Sequence, residues 1–184
     1  MATKTPVRPG GRSARIQQSV HLAVNELLDG GNREDLTVPL IAARAGVTPS
    51  TIYRRWGDLP ALLADVAAQY FETDEVPQET GAFDSDLRAW GHQFHEEMSS
   101  PTGVQYIRDV LVGDQGGHSG ACAGYALAQV EQIAQRWPQA KEPSVPEIMD
   151  HLVAPLMYGI VFAGNRLSAA DVDALVDRLL PPED

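Results

Sequence analysis

Apolar residues recur along this chain at intervals of three and four, and no convincing period of two interrupts them. That spacing lays one apolar stripe along a helix, so the expected fold class is all-α. The first stripe, Ile16, Val20, Ala23, Val24, Leu27 and Leu28, predicts a helix from Arg12 to Leu28. Asp29-Gly30-Gly31-Asn32 ends it with turn chemistry. Ahead of it, MATKTPVRPGG mixes Pro, Gly and basic residues with nothing to bury, and reads as a flexible arm over residues 1–11.

The block that follows is dense in punctuation. Thr37 is placed to cap a short helix with Pro39 in its first turn, where a missing N–H costs nothing. Leu40, Ile41, Ala43 and Ala45 carry that helix, and Gly46 ends it by allowing a positive φ. Thr48 then caps a second short helix that opens on Pro49, and Ala42 and Ala45 are small enough for close contact. Helix, tight Gly turn, capped helix is the grammar of a helix-turn-helix. A longer helix runs from Asp58 to Phe71 with Leu62, Leu63, Val66, Ala67 and Tyr70 on one side.

Gln78 to Gly81 is a break, and helices are predicted beyond it over Asp84–Met98, Gly103–Val112, Ser119–Trp137, Val145–Ala163 and Ser168–Leu180. Pro155 should kink the fourth of these, because it removes the bond to the His151 carbonyl. The organisation expected is an arm (1–11), a three-helix head (12–57) and a six-helix body (58–184).

Charge divides along the same line. The 184 residues include 14 Lys+Arg and 25 Asp+Glu, a net charge of −11 that by itself argues against a nucleic-acid partner. Up to Trp56, however, eight basic residues face four acidic ones, a balance of +4; beyond it six face 21, a balance of −15. A basic head on an acidic body suggests two jobs. Cys122 is the only cysteine, which excludes an internal disulfide and a zinc site built on cysteines. The first residues carry no apolar stretch of the secretory kind, and the longest apolar run, Leu152–Gly164, is short of the roughly 20 residues a membrane helix needs. A soluble, cytoplasmic protein is expected.

The second short helix suits duplex DNA. A helix in the major groove offers its N-terminal residues to base edges and its flanks to phosphates. Here Thr48, Pro49, Ser50 and Thr51 stand at its start, with Tyr53, Arg54 and Arg55 further along. Hydroxyls bond phosphates or either base type, and Arg can bridge O6 and N7 of guanine. Exposed N–H groups at the helix start add anion attraction. Ile52 and Trp56, four apart, would pin the opposite face to a core. Solvated arginines on a small helical domain are the alternative, which the tight turn, the double capping and the basic balance outweigh.

The segment LTVPLIAARAGVTPSTIYRRWGDLPALL, Leu36 to Leu63, resembles the signature of the TetR/AcrR family of transcriptional regulators, with the first helix correctly placed upstream. The likeness covers about the N-terminal third; LVAPLMYGIVFAGNRLSAADVDALVDRLL is more weakly similar to the family's last two helices. The resemblance implies an N-terminal helix-turn-helix DNA-binding domain and a helical ligand-binding and dimerisation domain. It puts Thr37 and Tyr53 on phosphates and Thr48, Ser50, Thr51 and Arg54 at or near the groove. With Arg12, Pro49 and Arg55 these make the candidate DNA-contacting set. Leu59 stands where many members carry a Lys at the start of the fourth helix, which puts a phosphate contact there in doubt.

In the body, Trp90, Phe94, Tyr106, Tyr125, Met157, Tyr158 and Phe162 could line an effector cavity, although aromatic stripes at helical spacing are equally plain core. Arg108 could hold an anion or pair with a neighbouring carboxylate. Leu152, Leu156, Gly159, Ile160, Ala163, Val172, Leu175, Val176 and Leu179 could form either an internal core or a homodimer interface; the family's last two helices commonly form such a dimer bundle. His92 and His95, three apart beside Glu96, have the spacing of a shared metal, but surface or core histidines are commoner, so no metal or cofactor is called for. Cys122, among small residues, reads as a buried inert thiol. No GxSxG, HExxH, P-loop or GxGxxG element is present, which argues against an enzyme. Ahead of a helical protein-interaction module, a metal sensor or an enzyme stands a ligand-responsive regulator. By resemblance it is a repressor that an unidentified small molecule releases from a palindromic operator. The acidic body favours a neutral or cationic molecule.

Overall fold

Each predicted stripe forms a helix, and among the described residues there are nine helices and no strand. The computed structural model describes residues 11–31, 33–71, 76–113, 119–140, 143–164 and 166–180, with Arg12 and 119–123 described by their backbone alone. The arm expected over 1–11 and the side chains of Arg12 and Cys122 therefore lie outside the described residues, apart from Gly11, which opens the first helix.

The head consists of α1 (Gly11–Gly30), a 3-10 turn (Arg33–Asp35), α2 (Val38–Ala45) and α3 (Pro49–Trp56). α4 (Leu59–Tyr70) leads into the body. Thr37 caps α2 as expected, its hydroxyl accepting from the Leu40 N–H at 3.4 Å. Gly46 adopts φ 68°, the left-handed conformation the tight turn requires. Thr48 differs from expectation: its hydroxyl makes no cap bond and lies instead 2.9 Å from Ser50 Oγ and 3.0 Å from Thr51 Oγ1. The Thr51 N–H that such a cap would take is bonded at 2.9 Å to the Thr48 carbonyl instead.

The body adds α5 (Phe83–Ser99), α6 (Pro101–Val112) and α7 (Ser119–Arg136). Next comes a composite rod, α8, built from Val145–Ile148, a π turn Met149–Val153 and Ala154–Val161, and last α9 (Ala169–Leu179). The disruption expected at Pro155 takes the form of that widened turn, in which the Ala154 N–H reaches the Met149 carbonyl five residues back. No helix among the described residues is long and apolar enough to cross a membrane.

There are two apolar cores. Val20, Val24, Ile41 and Ile52 meet Leu62, Leu63 and Val66 in the head; Ala67 and Phe71 join Trp90, Ile133, Leu152 and Leu156 in the body. A boundary at residues 57–58 thus cuts through the head's own core, because α4 contributes to both. α6 lies against α4 so closely that a Cβ on Gly113 would stand 2.6 Å from Ala64 Cβ, with the Pro60 carbonyl nearer still. Arg33 of the 3-10 turn pairs with the buried Asp109 of α6, a second link between head and body.

Asp86, fully buried at the start of α5, ties the body together. Its Oδ1 accepts from the Thr80 N–H and hydroxyl at 2.6 and 2.7 Å, and its Oδ2 from Arg136 and the Trp137 indole at 2.5 and 2.9 Å. Burial alone would raise its pKa, but these donors outweigh burial and hold the carboxyl well below the ordinary aspartate value. With the folded value below the unfolded one, the network stabilises the fold above the ordinary aspartate pKa and is lost as pH falls through the folded value. Asp86→Asn should therefore lower the unfolding free energy near neutrality by about 3–5 kcal/mol, with the gap to wild type narrowing in acid; urea melts across pH measure it. Gly113→Ala, strained only by the approach of α4, should lower stability by about 1–3 kcal/mol in the same assay.

Candidate nucleic-acid interface

α3 is two-sided because its sequence is. Ile52 is fully buried against the head core and Trp56 half-buried, while Thr48, Pro49, Ser50, Tyr53, Arg54 and Arg55 are exposed and Thr51 is partly so. The structure brings the candidate residues together in two groups. At the helix start the hydroxyls of Thr48, Ser50 and Thr51 form one hydrogen-bonded cluster. One turn on, Tyr53, 49% exposed, and Arg54 point away from the core, and Arg54 has no side-chain partner among the described residues. A cation beside a set of hydroxyls on an exposed helix can bond phosphate and base edges at once. Thr37 is exposed at the start of α2, with its hydroxyl engaged in the cap.

Arg55 is occupied differently. Its guanidinium donates to Ser13 Oγ at 2.6 Å and to Gln17 Oε1, both on α1, and lies 5.2 Å from the centre of the Trp56 ring. It braces α3 on α1. Leu59, at the position where a Lys would have offered a charge, packs on the head core. Missed from the sequence is a polar cluster behind α3 made by Gln17, His21 and Asp65. The signal was a polar residue within an apolar stripe, since His21 follows Val20 and Asp65 precedes Val66.

In the body, an apolar groove of about 520 Å³ lies among α5, α6 and α8. Phe94, Met157, Tyr158 and Phe162 of the expected set line it, together with Met98, Met149 and one carboxylate, Asp150. Trp90, Tyr106 and Tyr125 do not. Trp90 is buried and donates to Gln129 at 2.6 Å, Tyr125 is buried and donates to Glu97 at 2.7 Å, and Tyr106 packs on Tyr70 with ring centres 4.8 Å apart. The Trp90 indole and the Tyr125 hydroxyl are spent on internal bonds. Arg108 is exposed on α6 and away from the groove.

Most of the residues expected at a dimer interface are covered by the protomer's own helices. Leu152, Leu156, Ile160, Val172, Leu175 and Val176 are buried inside the protomer, Gly159 packs on Leu167, and Ala163 and Leu179 are partly buried. An apolar stripe records that something covers it, and here α5, α6, α7 and α9 cover α8. What α8 leaves outside is a different pair, Tyr158 and Phe162, 64% and 74% exposed with ring centres 5.8 Å apart.

The two histidines differ in their surroundings. His92 Nε2 lies 2.8 Å from Asp173 of α9, a carboxylate that also takes Arg88 at 3.0 Å. His95 has a buried, unpartnered Nε2, and burial and the neighbouring His92 push its pKa down against the pull of Asp171. No group of three or more metal-ligating side chains occurs among the described residues.

Comparison with known proteins agrees with this architecture. Residues 25–66 match "Bacterial regulatory proteins, tetR family", and residues 77–179 match "Tetracyclin repressor-like, C-terminal domain". The chain is 26% identical over 101 residues to the HTH-type transcriptional regulator AqdR of Rhodococcus erythropolis, a match spanning 55% of this chain and 49% of that protein. Over 185 residues it is 24% identical to an uncharacterized HTH-type transcriptional regulator of Mycobacterium tuberculosis, covering 96% of this chain and 91% of the relative. Among solved structures, a TetR-family regulator from Mesorhizobium loti aligns with a TM-score of 0.61 at 15% identity, over 92% of this chain and 96% of the other. The fatty acid degradation regulator FadR from Bacillus halodurans aligns with a TM-score of 0.57 at 12% identity, over 97% of each chain. With both halves matched, this chain belongs to the TetR family of DNA-binding transcriptional regulators, which are not enzymes.

Proposed function

We propose that the protein works as a homodimeric repressor, released from a palindromic operator by a small apolar effector that is neutral or cationic. The observation that carries the DNA side is the outward face of α3, with Tyr53 and Arg54 free of the core that Ile52 enters. Two such helices in a dimer would sit about 34–36 Å apart to read half-sites one turn apart. The acidic body repels phosphate, so contact with the duplex is confined to the head.

Dimerisation through α8 is supported by Tyr158 and Phe162, two large aromatic side chains facing outward on neighbouring turns. The effector reading rests on the groove that Phe94, Met98 and Met157 line, where thioethers and rings suit an apolar body and Asp150 suits a positive end. α6 walls that groove and abuts α4 at Gly113, so a ligand that shifts α6 moves α4. Coupling of this kind amounts to about 1–3 kcal/mol, enough to release an operator.

Arg54→Ala and Tyr53→Phe should weaken operator binding, the first by roughly tenfold to a hundredfold, with the dimer intact by sedimentation. Normal binding by both variants would remove α3 from the reading role. Phe162→Asp should shift the protein to monomer at micromolar concentration in sedimentation equilibrium; a wild-type monomer there would overturn the dimer.

A further inference from the structure

Besides the packing of Ile52 and the Arg55 brace on α1, the end of α3 is tied to α4 through one carboxylate oxygen. Asp65 Oδ2, on α4, accepts the Trp56 indole N–H at 2.7 Å, His21 Nε2 at 2.8 Å and Gln17 Nε2 at 3.2 Å. Trp56 is the last residue of α3, and Gln17 and His21 lie one turn apart on α1. Gln17 also takes the Arg55 guanidinium, and His21, 4% exposed, faces Gln69 Oε1 with its other nitrogen. Three helices thus converge on a single carboxylate, and their bonds are directional where the surrounding apolar contacts are not.

We infer that Asp65 is the positioning residue of the recognition helix: it fixes the angle of α3 on α4 and so makes the head selective for sequence. The inference rests on the assignment of α3 as the reading helix. Ile52 packs apolarly and Arg55 holds α3 to α1, so the Trp56–Asp65 bond is what sets α3 against α4; a helix turned by a few degrees still meets phosphate but loses the bidentate geometry that distinguishes bases. Hydrogen bonds to a charged acceptor are stronger than neutral ones and hold that angle. Asp65 also follows Ala64, which abuts Gly113 at the end of α6, so a displacement of α4 reaches α3 at this joint.

The test compares binding of a duplex that the wild-type protein selects from a randomised pool with binding of an unrelated duplex of equal length. Asp65→Asn and Trp56→Phe are the variants; the second removes only the indole N–H and ring area and decides the matter if the first does not fold. Each should lose roughly tenfold or more in the ratio of selected to unrelated binding. Affinity for the unrelated duplex should be unchanged in Trp56→Phe and no weaker in Asp65→Asn, which removes a negative charge. A merely structural role would weaken both duplexes alike. The Trp56 indole proton resonance should move upfield in Asp65→Asn while those of Trp90 and Trp137 stay in place. A ratio held within twofold by both variants, or an unmoved Trp56 resonance, overturns the positioning role. If Arg54→Ala leaves the wild-type ratio intact, the reading-helix assignment itself fails.

Discussion

Leu62, Leu63 and Val66 lie in the apolar core of the head, and Ala67 and Phe71, one turn on, lie in that of the body, so α4 closes both. Neither core can shift without it. Burial on two sides leaves α4 few ways to move except as a rigid piece, because close-packed interiors transmit displacement rather than absorb it. The tight contact at Gly113 and the Arg33–Asp109 pair bring α6 to bear on that piece. A displacement of the body at α6 therefore reaches the head through the helix the two cores share.

The division of charge follows the same seam. The basic excess sits up to Trp56 and the acidic excess beyond it. Among the described cations of the head, Arg44 pairs with Glu26, Arg33 with Asp109 and Arg55 with α1, while Arg15 and Arg54 face outward without a carboxylate partner. A formal count therefore overstates the number of charges free for phosphate. The body's carboxylates likewise include structural ones, with Asp86 held beneath Arg136 and Trp137 and with Asp173 and Asp177 clasping Arg88.

Much of the fold was legible in residues with local effects. Thr37, Pro39, Gly46 and Pro49 act within a turn of chain, and the helix-turn-helix they predict is the one that forms. Arg54 and Tyr53 were legible as outward residues because Ile52 and Trp56 set the phase of α3. Legibility failed where a stripe had to be assigned to its cover. Leu152 through Val176 carry the same pattern whether a second copy or a neighbouring helix buries them, and helices distant in sequence do so. Trp90, Tyr106 and Tyr125 failed for the same reason: their rings were evident but their packing partners were not.

The −11 net charge that first argued against DNA divides, by sequence alone, into a head that can meet it and a body that cannot. Periodicity, capping residues and turn glycines likewise determined that the chain is helical and where α3 begins, since these act over a few residues. Only the tertiary structure decided that α4 belongs to both cores, that Arg55 bonds to α1, that Tyr158 and Phe162 are the aromatic pair left outside, and that Asp65 gathers three helices. Those facts depend on side chains brought together from 40 or more residues apart in several cases, His21 and Asp65 among them. Local rules carry no information about such meetings; packing does.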